Sequence, residues 1–133
     1  MMDEDAENFV PLSQAYSLPA GTDEEKAFKE KELDRCLKVA ITTPIDIIEK
    51  AYESIALFEE LAIKGSKLAL SDVGCGIALI RSALSMGWLN ALINLNMIKD
   101  EEYVNNMKNK VLPLVEKGIE KCDKIYVDVL NAI

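Results

Sequence analysis

Residues 71–98, SDVGCGIALIRSALSMGWLNALINLNMI, constrain this chain more than any other stretch. Apolar residues fall nearly all round a helix drawn there, and a helix of that character is expected to be central, covered on most sides by others. It does not read as a membrane span, because Arg81, Asn90, Asn94 and Asn96 break up the ~20 apolar residues that a span needs. Two glycines, Gly74 and Gly76, stand near its start. Each glycine inside a helix costs roughly 1 kcal/mol relative to alanine, so both need a packing or functional reason.

The flanking segments are helical as well. Residues 3–16 read as a first helix, with Pro11 as a kink or a new start. Thr22 and Glu25 form a capping box for a second, whose charged first half is a solvated face and whose second half packs Leu33, Cys36, Leu37, Ala40 and Ile41. Pro44 suits the first turn of a third helix. Its stripe is Ile47, Ala51, Ile55, Phe58 and Ala62, and Gly65 is its stop. Ser71 to about Ile98 is the fourth. Asp100 caps a fifth, with a stripe of Val104, Met107, Val111, Val115, Gly118, Cys122, Ile125 and Val129 and a kink near Asn109 imposed by Pro113. No run alternates in the manner of a strand. The expectation is one all-α domain over residues 1–133, an antiparallel array of about five helices around a central apolar one.

Charge and residue usage narrow the chemistry. The net charge is −8, and residues 1–34 supply most of it, with ten acids against three lysines. Nucleic acid is not an expected partner, since phosphate binding needs a clustered basic face. Neither a membrane partner nor a secretory signal is read, and a soluble cytoplasmic protein is the expectation. Three dispersed cysteines fit neither a disulfide framework nor a CxxC metal site. With no histidine, Ser-His and Cys-His nucleophiles are excluded and a zinc site is disfavoured. No metal or cofactor is expected, so catalysis would fall to carboxylates, lysines, tyrosines, amides or backbone groups.

On a helix of 3.6 residues per turn, Asp72, Gly76, Ala83, Gly87, Asn90 and Asn94 share one small, polar stripe. One reading is close helix packing, within the chain or across a dimer interface, with Asp72 assisting the N-cap beside Ser71. The other is a cleft by the helix start, where free N–H groups meet an anion. Asp72 and Asn90 stand about 27 Å apart along such a helix, too far for one small pocket unless a second subunit folds over it.

The same residues carry a resemblance. Ser71-Asp72, Gly74, Gly76, then Asn90, Asn94-Leu95 and Lys99-Asp100, with Asp5 and Phe9 in the opening and Thr43-Pro44 before the third helix, resemble the cyclodeaminase/cyclohydrolase family. This is the C-terminal domain type of formimidoyltransferase-cyclodeaminase, and the resemblance covers nearly the whole chain. Asn8 stands where that family usually has alanine, and the family's Gly-rich Pro-Gly-Gly-Gly stretch has no counterpart here. An N-terminally shortened family domain is therefore expected.

The resemblance implies a one-carbon tetrahydrofolate as substrate and a homodimer as the working form. A cyclodeaminase closes 5-formimidoyl-tetrahydrofolate to the 5,10-methenyl form and releases ammonia. A cyclohydrolase opens the methenyl form with water. It further implies Asp5 and Asp72 as acid/base or electrostatic groups. Gly74, Gly76, Asn90 and Asn94 would lie at the substrate, and Lys99 would attract its glutamate tail. The alternative is a non-catalytic helical scaffold or fragment that keeps the packing face without the site.

Overall fold

A computed structural model describes residues 2–133. The chain forms α1 (Met2–Tyr16), α2 (Asp23–Ala40), α3 (Thr42–Lys64), α4 (Leu70–Leu95) and α5 (Glu101–Ala132), with a short 3-10 turn at Lys67–Ala69 leading into α4. There is no strand among the described residues, so the all-α expectation holds.

Local sequence accounts for most boundaries. At α2 the Thr22 hydroxyl accepts from the Glu25 N–H, and the Glu25 carboxylate accepts from the N–H groups of Thr22 and Gly21. Asp100 caps α5 by accepting from the Tyr103 N–H at 3.0 Å. Gly65 ends α3, its N–H donating to the Leu61 carbonyl. α2 and α3 are separated only by Ile41, which is fully buried. α5 is helical without a break through Pro113, as α1 is through Pro11.

The core is a three-helix unit of α3, α4 and α5. Short connections at 65–69 and 96–100 turn the chain back on itself, so consecutive helices of the unit run antiparallel. Ile48 and Ile55 from α3, Ile77 and Leu84 from α4, and Val111 and Cys122 from α5 are almost wholly buried there. Each large aliphatic side chain so buried contributes about 1.5–3 kcal/mol. α1 packs mainly on α2, and this pair lies against the ends of α3 and α4.

Three details differ from the sequence reading. The α3 stripe passes through Ile48 rather than Ile47, which is only half-buried. α4 starts at Leu70 without a side-chain cap, so Ser71 and Asp72 lie inside its first turn, and it ends at Leu95 rather than near Ile98. Most consequentially, α4 is not covered on most sides. Leu79, Met86, Leu89 and Ile93 are each more than half exposed. Hydrophobicity marks a surface to be buried without saying whether this chain or another body covers it.

Candidate functional site

α1 and the C-terminal half of α4 approach each other across the start of α3. Between them is a cleft of about 230 Å³ lined by Asp5, Phe9, Ala40, Pro44, Asn90, Ile93 and Asn94. Asp5 comes from the first turn of α1, beside Asp3 and Glu4, where the helix dipole favours carboxylates. Asn90 and Asn94 are one turn apart on α4, and the Asn94 amide donates to the Asn90 carbonyl at 3.2 Å. That bond orients Asn94 and leaves its oxygen and second N–H available. The cleft thus joins a carboxylate, two amides and the apolar surfaces of Phe9 and Ile93. Phe9 and Ile93 are both more than half exposed.

The position of α1 depends on Asn8. Its amide donates to the Thr43 hydroxyl at 3.1 Å and to the Thr42 hydroxyl at 3.3 Å. Thr43 is the buried polar residue of the core, at 3% exposure. Asn8 is therefore the tether that sets Asp5 and Phe9 over Pro44. Its departure from the family pattern was the visible signal. Phe9 and Pro44 had stood out only as motif positions, and Ile93 not at all.

The remaining predicted residues lie elsewhere. Asp72 is exposed in the first turn of α4 and lines neither this cleft nor a second one, of about 310 Å³, among Glu59, Ile63, Leu70, Lys124 and Asp128. Beside it, the glycines are in contact with the protein's own side chains. A Cβ on Gly74 would come within 3.2 Å of Val129 Cγ1 of α5, and one on Gly76 would collide with the ring of Phe58 of α3. They seat α4 between its neighbours. Lys99 follows α4, its ammonium paired with Glu30 at 2.9 Å and its backbone N–H donating to Asp34 at 3.1 Å. So the structure brings together Asp5, Asn90 and Asn94, and leaves Asp72, Gly74 and Gly76 at the opposite end of α4.

A small network, outside the lining of this cleft, ties the last turns of α2 to the start of α5. Lys38 of α2 bonds Asp34 at 2.9 Å and Asp100 at 2.8 Å, and lies 4.9 Å from the ring centre of Tyr103. The bond to Asp100, then that to Asp34, holds the Lys38 ammonium above its ordinary pKa. Lys38 and the Tyr103 N–H in turn hold Asp100 below the usual carboxylate value. Among the described residues no cluster of Asp, Glu, Cys or His has a metal-binding arrangement.

The sequence model of the formiminotransferase-cyclodeaminase family matches residues 1–112. This chain belongs to that family. Within it, methenyltetrahydrofolate cyclohydrolase of Methylorubrum extorquens is 28% identical over 133 residues, covering all of this chain and 64% of its own length. Formimidoyltransferase-cyclodeaminase of Gallus gallus is 27% identical over 118 residues, 89% of this chain and 22% of its own. The crystal structure of formiminotetrahydrofolate cyclodeaminase from Thermotoga maritima superposes with a TM-score of 0.73 at 27% identity, covering 97% of this chain and 58% of that one. The chain therefore spans less than two thirds of the length of these relatives.

Proposed function

We propose that the chain handles a one-carbon tetrahydrofolate, as a cyclodeaminase or a methenyltetrahydrofolate cyclohydrolase, and works as a homodimer in the cytoplasm. The observation that carries this reading is the convergence of Asp5, Asn90 and Asn94 on one cleft with apolar walls. In the cyclodeaminase direction, N10 of the substrate attacks the formimidoyl carbon, a tetrahedral centre forms between two nitrogens, and its bond to the departing nitrogen breaks to release ammonia. In the cyclohydrolase direction, water adds to the methenyl carbon and the bond to N5 breaks. Both routes pass a cationic amidine-type group. A carboxylate such as Asp5 stabilises that cation and shuttles its proton, with no metal or redox cofactor required.

The amides of Asn90 and Asn94 suit the donor and acceptor edge of a pterin. Lys99 is exposed, and surface ion pairs such as that with Glu30 are worth ~0–1 kcal/mol, so its ammonium is free to turn to a glutamate tail. A non-catalytic helical scaffold is the second reading, favoured by the exposed apolar face of α4.

Calorimetric titration with 5-formyl-tetrahydrofolate separates the two. Saturable binding that weakens about tenfold or more in Asp5→Asn and Asn94→Ala, some 1.4 kcal/mol or more, supports the folate reading. No binding by the wild-type chain well above millimolar ligand sinks it and leaves the scaffold.

A further inference from the structure

α2 and α3 meet beside a proline that deprives one backbone acceptor of its helical donor. In an α-helix each carbonyl accepts from the N–H four residues ahead. Ile41, between the two helices, keeps helical angles of φ −76° and ψ −16°. Its N–H donates to the Leu37 carbonyl, and its own carbonyl accepts from the Ile45 N–H at 3.2 Å. The Ala40 carbonyl would take the N–H of residue 44, and residue 44 is proline, which has none. Two side-chain donors of this junction are used elsewhere. The Thr42 hydroxyl donates to the Val39 carbonyl, and the Asn8 amide to the hydroxyls of Thr42 and Thr43.

That carbonyl opens on the cleft. A helical carbonyl points along the axis toward the residue four ahead, and Ala40 and Pro44 both line the cleft. The groups around it are rich in acceptors. The Asp5 carboxylate and the Asn94 amide oxygen accept, and donors in the lining side chains are confined to the amides of Asn90 and Asn94. α4 reaches this point because Gly87 has no side chain. A Cβ there would come within 3.3 Å of the Pro44 carbonyl, and Asn90 follows less than one turn later. A cleft that accepts more hydrogen bonds than it donates selects a ligand edge rich in N–H groups.

We propose that Pro44 frees the Ala40 carbonyl to bind substrate, and that this carbonyl accepts from the 2-amino group of the pterin. The Asn94 oxygen takes an adjacent ring N–H, which leaves Asp5 for the one-carbon unit. An acceptor left unpaired under a bound ligand is costly, so the cleft discriminates against a pterin that lacks the donor. The ligand group rests on the folate reading above; the free carbonyl does not.

Isotope-edited NMR reads this carbonyl in the unaltered chain. Carbon-13 in alanine carbonyls with nitrogen-15 in isoleucine gives one correlated signal for each Ala–Ile pair, at Ala40–Ile41, Ala62–Ile63 and Ala132–Ile133. Saturating 5-formyl-tetrahydrofolate is expected to move the Ala40 carbonyl signal downfield, as a new hydrogen bond does, and to leave the other two in place. Binding that does not move the Ala40 signal overturns the assignment. So does an equal move with the analogue that carries methyl in place of the 2-amino group.

Pro44→Ala supplies an N–H to the Ala40 carbonyl, so its signal is expected downfield before any ligand is added. An unchanged signal would show that the carbonyl was never free and overturns the proposal. In calorimetry, the methyl analogue is expected to lose about three- to tenfold more affinity for the wild-type chain than for Pro44→Ala, the worth of about one hydrogen bond. A proline that only shapes the helix would leave the two losses equal, which overturns the binding role. Absence of binding by the wild-type chain overturns the folate reading and the 2-amino assignment with it, and the ligand-free Pro44→Ala signal then decides whether the carbonyl is free.

Discussion

The ring of Phe58 in α3 fills the space beside Gly76 of α4 that a Cβ would need. This contact explains why a chain with little stability to spare keeps a glycine in a helix interior. Alanine there would gain about 1 kcal/mol of helix propensity but force a packed ring to move. Overpacking of that kind costs about 1–3 kcal/mol, so Gly76→Ala is expected to be destabilising overall. Gly87→Ala is expected to behave alike, because its Cβ would meet Ile48 Cγ1 at 2.8 Å and the Pro44 carbonyl at 3.3 Å. Urea denaturation measures both, and Phe58→Leu should relieve the first substitution but not the second. A Gly76→Ala chain more stable than wild type would show that Phe58 does not hold α4 in place.

Lys38 and Asp100 predict a shape for stability against pH. Asp100 has a lowered pKa, so its contribution is complete above the ordinary carboxylate range and is lost as pH falls through the lowered value. Lys38 has a raised one, so its contribution is complete below the ordinary lysine range and is lost as pH rises through the raised value. Between about pH 4 and pH 10 both are present. Asparagine is also a good N-cap, so Asp100→Asn should retain α5 while flattening the acid limb of a melting-temperature profile. An acid limb identical to wild type would show that this pair contributes nothing to it.

The cysteines should differ sharply in reactivity. Burial pushes the Cys122 thiol up to about 11, with neighbouring Asp123 adding to the rise and Arg81 opposing it. Thiolate is the reactive form, so native Cys122 should resist iodoacetamide at neutral pH. Cys36 is buried as well, and Cys75 is exposed in the single chain. Peptide mapping of the native chain should find the label on Cys75, with the other two labelled only after denaturation. Rapid labelling of native Cys122 would contradict this packing of α4 on α5.

Arg81 and Asp123 bind α4 to α5 through an ion pair in which both side chains are about half exposed. Such pairs are worth ~0–1 kcal/mol. Arg81→Met should therefore change stability by less than about 1 kcal/mol, and in low salt more than in high. A loss of several kcal/mol would mean that the pair anchors the fold.

Elements with local chemistry were legible in the sequence. Thr22 with Glu25, Asp100 before two glutamates, and Gly65 after a charged turn each fix a helix end through bonds made within a few residues. The long α5 stripe was equally clear, and its residues from Val111 to Val129 are buried as its period required. Ile48 was missed in favour of Ile47 because adjacent isoleucines satisfy the period about equally, and tertiary packing chooses between them. The start of α4 was missed because the helix has no side-chain cap and follows a 3-10 turn. Of the site, Asp5 and Asn94 were found on separate motifs, but nothing local says that α1 folds across the start of α3 to join them. Asn8 makes that join, through hydroxyls 34 and 35 residues away.

α1 is anchored lightly for an element that brings a carboxylate to a cleft. Among its described side chains Leu12 and Ala15 are the buried ones, its far end is held by Lys29 donating to the Tyr16 and Leu18 carbonyls, and Asn8 ties its middle. Helices with so few buried contacts open locally at free energies well below that of global unfolding. α1 is thus expected to open away from the cleft more readily than the rest of the fold unfolds, and the apparent affinity of any occupant would then fall in proportion to the closed fraction. Ligand capture would then register as slowed amide hydrogen exchange along α1, with α5 almost unchanged.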